Sequence, residues 1–413
     1  MARVSAHELG KWAAAARARW NVPGIAVGAL FDGEVMSTGV GIRELGRGEP
    51  VRPDTVFRLA SVTKPFTATL AMTLAQDGEL ALDEPPPGTR VEATVRQLLS
   101  HQGGLASEWP RRLDNSDLRA VAQAEPERLP IGAGELFSYS NCGFWFVAAG
   151  IAHVLGTSFE DAMRVRVIEP LGLQATSFEA GETAAVGHEQ LEPGADEHAP
   201  VATMMYPRAR SASGGLWSSV PDLLRFAQHH LGDSGPLTPP SIAEMQRPLS
   251  SGPGFQYGLG WFLRRRRGRD AVEHQGSVLG FQSVLVLVPE ERFAFAALTN
   301  SSRGYAAIRD VLREVGLGDD EPATVELPDL GRFAGRYRSQ GDIAELAVDD
   351  GLLRLERTEV DPFSGETRRW PSVSARPIGE GEFEIADGEW RSDRFDFPRP
   401  GFACIDLRLF QRQ

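Results

Sequence analysis

From Phe66 to Gln76 the chain is almost wholly apolar: Phe66, Leu70 and Leu74 recur at helical spacing among alanines, and Asp77-Gly78 closes the run. A helix with no polar face has to be buried, so the other elements must be arranged around this one. Ser61 and Lys64 stand at its start, in Leu59-Ala60-Ser61-Val62-Thr63-Lys64-Pro65-Phe66. The N-terminus of a buried helix offers free N–H groups and the positive end of the macrodipole to developing negative charge. A spacing of three residues sets Lys64 on the face of Ser61, one turn along. A nucleophile and its base require that arrangement.

The lysine is itself unusual. Of the 43 basic residues only Lys11 and Lys64 are lysine, and the other 41 are arginine. A guanidinium stays protonated at any workable pH, whereas a desolvated amine can release its proton. Position 64 therefore reads as one that needs a neutral amine. The 413 residues exceed one ordinary core, and two domains are expected. A net charge of −13 argues against nucleic acid or an anionic membrane as partner. Cys142 and Cys404 are the only cysteines, which excludes a disulfide framework and a Cys-based metal site. Lys11, Arg17 and Arg19 interrupt the alanine-rich N-terminal run, so no signal peptide is expected and the setting reads as cytoplasmic. No apolar stretch approaches bilayer-spanning length.

Periodicity outlines the rest. A helix is expected over 5–20, strands over 25–31 and 35–42, and an extended segment over 50–58. A short helix over 94–100 ends at His101-Gln102-Gly103-Gly104, where His101 reads as a supporting or capping histidine. Helices follow over 115–125, 143–155 and 159–171, and the aperiodic 180–202 reads as a mobile loop near a substrate entrance. After Ser213-Gly214-Gly215-Leu216-Trp217-Ser218-Ser219 come a helix, a second short helix over 241–247, and a strand over 257–263. The arginine run 264–269 reads as a solvated hairpin tip. Strands over 271–274, 283–288 and 293–299 precede a helix over 304–315.

Residues 318–327 are polar and read as a linker. Beyond them, short strands over 335–338, 344–348, 352–357, 382–385 and 405–410 suggest a small antiparallel barrel or sandwich. Nothing in that part looks catalytic.

Two further constellations accompany Ser61 and Lys64. Phe137-Ser138-Tyr139-Ser140-Asn141-Cys142 opens the second apolar helix, and His274-Gln275-Gly276-Ser277 lies on an expected strand. Taken alone, Asn141 reads as a helix cap and Tyr139 as a ring filling a gap. Together, Ser61-x-x-Lys64, Tyr139-x-Asn141 and His274-x-Gly276 resemble the serine β-lactamase and penicillin-binding-protein superfamily. The likeness is to its class C-like branch, which also holds D-aminopeptidases and esterases. It covers about residues 20 to 316 and includes Leu98-Leu99-Ser100-His101-Gln102-Gly103-Gly104-Leu105, Pro170-Leu171-Gly172-Leu173 and Gly215-Leu216-Trp217-Ser218.

The resemblance implies an α/β (α+β) fold, with a five-stranded antiparallel sheet flanked by helices and an all-helical subdomain at about 80–250, together making a domain over 1–318. It also implies a lipocalin-like β-barrel over 327–413. By the same resemblance Ser61 is the nucleophile, Lys64 and Tyr139 move its proton, and Asn141 binds a substrate amide. The N–H groups of Ser61 and Ser277 would form the oxyanion hole beside Gly276. His274 stands where β-lactamases and carboxypeptidases carry lysine, and a largely neutral imidazole holds a carboxylate less well. The function expected is acyl-enzyme hydrolysis of a small peptide, amide or ester, with no cofactor and no metal. An acyltransferase with the same centre, or a β-lactam or peptidoglycan sensor with a persistent acyl-enzyme, are the alternatives. The partner expected is a small molecule or short peptide, with no nucleic acid and no membrane, and a homo-oligomer remains open.

Overall fold

A computed structural model gives the architecture, and it describes residues 1, 3–108, 118–191, 197–201, 207–360, 366–388 and 393–413. Eight strands form one antiparallel sheet: β1 (Gly24–Phe31), β2 (Glu34–Gly41), β3 (Ser250–Gly252), β4 (Phe255–Tyr257), β5 (Phe262–Arg266), β6 (Arg269–Val278), β7 (Phe281–Val288) and β8 (Phe293–Thr299). Their spatial order is β2-β1-β8-β7-β6-β5-β4-β3. Five strands are expected from the resemblance; β5, β4 and β3 prolong the sheet beyond β6.

Both faces of the central strands are covered, which explains their continuous apolar sequence. Side chains alternate between the two layers. Val27, Val286 and Phe295 face a core shared with α1 (Ala6–Arg19), while Ala26, Leu285 and Ala296 face the larger core. At the centre of the larger core lies α2 (Thr63–Gln76), every residue of which from Thr63 to Leu74 is buried. The second apolar helix, α3 (Asn141–Leu155), packs beside it and ends at Gly156 in the left-handed region.

The expected strand over 257–263 is broken into β4 and β5. Between them Gly260 adopts φ 77°, and a Cβ there would lie 2.7 Å from Ala68 Cβ and 3.1 Å from the Lys64 carbonyl. A tight turn pressed onto α2 replaces the continuous strand. The arginine run is also not wholly solvated. Arg266 is buried, pairs with the buried Glu273 and reaches the Leu317 carbonyl at 3.0 Å and Asp319 at 2.9 Å. Only Arg267 and Gly268 separate the two strands.

The expected loop 180–202 contains a short strand pair, His188–Gln190 with His198–Pro200, while 192–196 and 202 lie outside the described residues. The expected helix 115–125 is described as Leu118–Gln123, and 115–117 lie outside the described residues. No single helix among the described residues is long and apolar enough to cross a membrane.

The C-terminal part is a closed barrel of β9 (Gly335–Ser339), β10 (Asp342–Asp349), β11 (Leu352–Val360), β12 (Val373–Gly379), β13 (Glu382–Ile385), β14 (Arg394–Arg399), β15 (Phe402–Ile405) and β16 (Arg408–Arg412). Closure comes from the pairing of β10 with β11, and the short strand Thr367–Arg369 is added at the edge of β11. The single strand expected over 405–410 is two strands. Asp406 (φ 49°) and Leu407 (φ 63°) make the turn between them, with the positive angles that a two-residue hairpin demands.

Candidate active site

Ser61 lies in a short 3-10 turn, Ala60–Val62, that feeds directly into α2. Ala60 before it has φ 47° and is buried. A residue with a Cβ in the left-handed region costs about 1–2 kcal/mol, a strain that the packed surroundings must offset. Those surroundings are the Leu59 N–H donated to Leu216 O at 2.8 Å and Ser283 Oγ donated to Leu59 O at 2.6 Å.

Lys64 is completely buried. Its Nζ lies 3.1 Å from Ser61 Oγ, 2.6 Å from Asn141 Oδ1 and 3.0 Å from the Ser213 carbonyl. Two of these partners are oxygens that can only accept. A neutral amine has two N–H bonds and one lone pair, so it can satisfy both acceptors and leave its lone pair for the Ser61 hydroxyl proton. Burial pulls the amine down from its ordinary range to about 7, although the nearby Glu108 carboxylate pulls the other way. A substantial fraction of Lys64 is therefore neutral near pH 7.

Tyr139 and Asn141 reach this centre from the segment that opens α3. The Tyr139 ring centroid is 4.6 Å from Lys64 Nζ. Asn141 does not cap the helix. Ser140 does, accepting from Gly143 N at 3.2 Å, which leaves the Asn141 amide free to meet Lys64. The Asn141 Nδ2 donates to the Glu108 carboxylate. His101 supports the segment as a buried histidine: its Nδ1 accepts from Ser140 N at 3.0 Å and its ring lies 4.2 Å from that of Tyr139. Burial and the Lys64 charge hold the His101 imidazole well below its usual range.

The third constellation closes the site from β6. A Cβ on Gly276 would lie 2.1 Å from Leu59 O and 3.0 Å from Ser61 N, so only glycine lets this strand approach the Ser61 turn. Ser277 follows on the exposed side of the strand. His274 shares the buried face with Gly276, and both of its ring nitrogens have protein partners. Nδ1 lies 2.7 Å from the Gln275 carbonyl, which can only accept, so Nε2 accepts from the Tyr257 hydroxyl at 3.1 Å. Burial first and the Lys64 charge second push this imidazole down to about 3. As placed, His274 is neutral and offers no free N–H to a substrate carboxylate.

Four participants escape a reading of the sequence: Glu108, the Ser213 carbonyl, Tyr257 and the Leu407 carbonyl. Leu407, in the β15–β16 turn of the barrel, accepts from Tyr139 N at 2.8 Å, and Leu409 N donates to Ser138 Oγ at 3.2 Å. Cys404 and Leu407 share an apolar cluster with Phe137, Tyr139, Phe255, Tyr257 and Phe262. The barrel, in which the sequence shows no chemistry, thus braces the backbone that carries Tyr139. Among the described residues no group of three or more His, Cys, Asp or Glu side chains is placed to hold a metal ion.

The profile of the Beta-lactamase family matches residues 12–318. The chain belongs to the Beta-lactamase family. Members of this family are serine hydrolases. Penicillin-binding protein 4 of Amycolatopsis lactamdurans is 30% identical over 370 residues, covering 79% of this chain and 96% of that protein. A D-aminopeptidase of Gluconobacter oxydans is 28% identical over 312 residues, covering 68% of this chain and 57% of that protein. The crystal structure of SurE superposes with a TM-score of 0.78 at 26% identity, and the match covers 99% of both chains. That match extends over the barrel as well as the family domain.

Proposed function

We propose that this family member hydrolyses a small peptide, amide or ester through an acyl-enzyme on Ser61. The observation that carries the reading is the set of contacts at Lys64 Nζ, 3.1 Å from Ser61 Oγ and against two oxygens that can only accept, so that the neutral amine would turn its lone pair to Ser61. In the proposed reaction Ser61 Oγ attacks the substrate carbonyl carbon as its proton passes to Lys64. The carbonyl oxygen gains the charge, and the N–H groups of Ser61 and Ser277 receive it. Tyr139 relays the proton to the leaving amine or alcohol. Water then attacks the ester on Ser61, with the same groups acting in reverse, and releases the acid.

The neutral, fully engaged His274 favours substrates without a carboxylate at that position. Peptides cleaved after an N-terminal D-residue meet this condition, and the likeness to a D-aminopeptidase agrees with it. The test is covalent labelling by a fluorophosphonate, followed by a screen of D- and L-aminoacyl anilides, short-chain esters and nitrocefin. Ser61→Ala is expected to abolish labelling and lower turnover by about a thousandfold or more. Labelling that persists in Ser61→Ala would remove Ser61 from the mechanism. Turnover of nitrocefin faster than of every anilide and ester would overturn the substrate class.

A further inference from the structure

The Lys64 amine is not held by its immediate neighbours alone. Asn141 turns its Oδ1 toward Lys64 and its Nδ2 toward Glu108. A carboxylate cannot donate a hydrogen bond. Were the Asn141 amide flipped, its oxygen would face the carboxylate and lose that contact, and its NH2 would compete with Ser61 for the lone pair of the amine. Glu108 therefore dictates which atom of Asn141 meets Lys64. Glu108 is itself fixed from two sides. Its Oε2 lies 3.5 Å from Nη1 of the buried Arg210, whose guanidinium stacks 5.0 Å from the Trp145 ring centroid. Its backbone carbonyl accepts from Gln340 Nε2 of the barrel at 3.0 Å.

The remaining charged and titratable groups around Lys64 leave Glu108 a distinct role. From β6 comes His274, from the segment after Leu99 comes His101, and from the start of α3 comes Tyr139. Behind them Tyr257 is buried, which holds its hydroxyl protonated, and both imidazoles are neutral. The segment ahead of Ser213 contributes Arg210, and Arg264 lies farther out beside His274. Among the described residues, Glu108 is the carboxylate whose charge bears on the amine.

We propose that Glu108, paired with Arg210, is the positioning residue of the Ser61–Lys64 centre: it orients Asn141 and, by its charge, sets the pH range over which Lys64 can accept the serine proton. The inference rests on the acyl-enzyme reading above and names how that site is regulated. Glu108→Gln removes the charge but keeps an oxygen for Asn141 Nδ2. An opposite charge stabilises the ammonium, so its loss makes Lys64 easier to deprotonate. Arg210→Met removes the compensating cation, keeps an apolar stem against Trp145, and leaves Glu108 acting unopposed. The two variants must move Lys64 in opposite directions.

The experiment measures the second-order rate of fluorophosphonate labelling of the full-length chain against pH, which requires no knowledge of the natural substrate. Wild type is expected to show an acid limb. In Glu108→Gln that limb moves to lower pH by about one unit, and in Arg210→Met it moves to higher pH by a similar amount. Glu108→Asp keeps the charge, so its limb stays close to wild type while the plateau rate drops. Should one of the first two fail to fold, the direction shown by the other still decides. A limb that stays put, or that moves the same way in both variants, overturns the role of Glu108 while leaving the acyl-enzyme reading intact. Wild-type protein that is not labelled at any pH overturns both.

Discussion

Lys64 is where the contacts of the candidate site concentrate on one atom. A single amine completely enclosed by protein meets a hydroxyl, a side-chain carbonyl and a backbone carbonyl. The sequence already marks it, because a chain that uses arginine almost throughout retains lysine here. The marking has a physical basis: arginine cannot supply a lone pair at working pH. Lys64→Arg should accordingly be about as damaging as Lys64→Ala, each lowering kcat/KM by about a hundredfold or more. Arginine that keeps most of the activity would mean the position needs only positive charge. The same amine fixes the sign of the pH dependence. In the proposed mechanism the neutral form is the base, so kcat/KM should rise as pH passes upward through about 7. A rate that falls through that range would contradict the assignment. Glu108, by contrast, leaves no mark in the sequence. Its meaning depends on Asn141, which joins it only when the chain folds.

At the level of elements, what could be read were the segments whose composition permits one solution. The almost wholly apolar α2 and α3 had to be buried, and the continuous apolar runs of β1, β7 and β8, legible as strands, lie between two cores. What could not be read were boundaries set by contact. Ile405-Asp406-Leu407-Arg408-Leu409-Phe410 alternates like one strand and contains no glycine or asparagine to announce a turn. The chain turns there because the paired strands on either side hold Asp406 and Leu407 at positive φ. Likewise Asn141 looks like a cap until Ser140 is seen to fill that place. The approach of β6 to the Ser61 turn is a property of this level and can be tested as one. Gly276→Ala would press a methyl group into Leu59 O, forcing strand and turn apart. A displacement of about 1 Å can cost a hundredfold in rate, and a loss of that order is expected in kcat/KM and in labelling rate. Near-native rates would show that the two elements separate without consequence.

At the level of the whole molecule, the boundary that composition suggests near Gly318 is not a boundary for the candidate site. The barrel supplies the acceptor for Tyr139 N, a partner for the Glu108 carbonyl, and part of the apolar cluster beneath Tyr257. A chain ending after Gly318 should label more slowly at Ser61 and melt at a lower temperature than the full chain, since Phe137, Phe255 and Phe262 would lose their cover. Equal labelling rates and equal melting temperatures would reduce the barrel to an appendage. The contact made by Leu407 also carries a consequence in time. Translation runs from the N-terminus, so Ser61, Lys64 and Tyr139 are made long before the turn that steadies Tyr139. Ribosome-bound chains stalled before β15 should hold Ser61, Lys64 and Tyr139 and yet label more slowly than released ones. Labelling at Ser61 would then depend on whether the β15–β16 hairpin, with its Leu407 carbonyl, has been made.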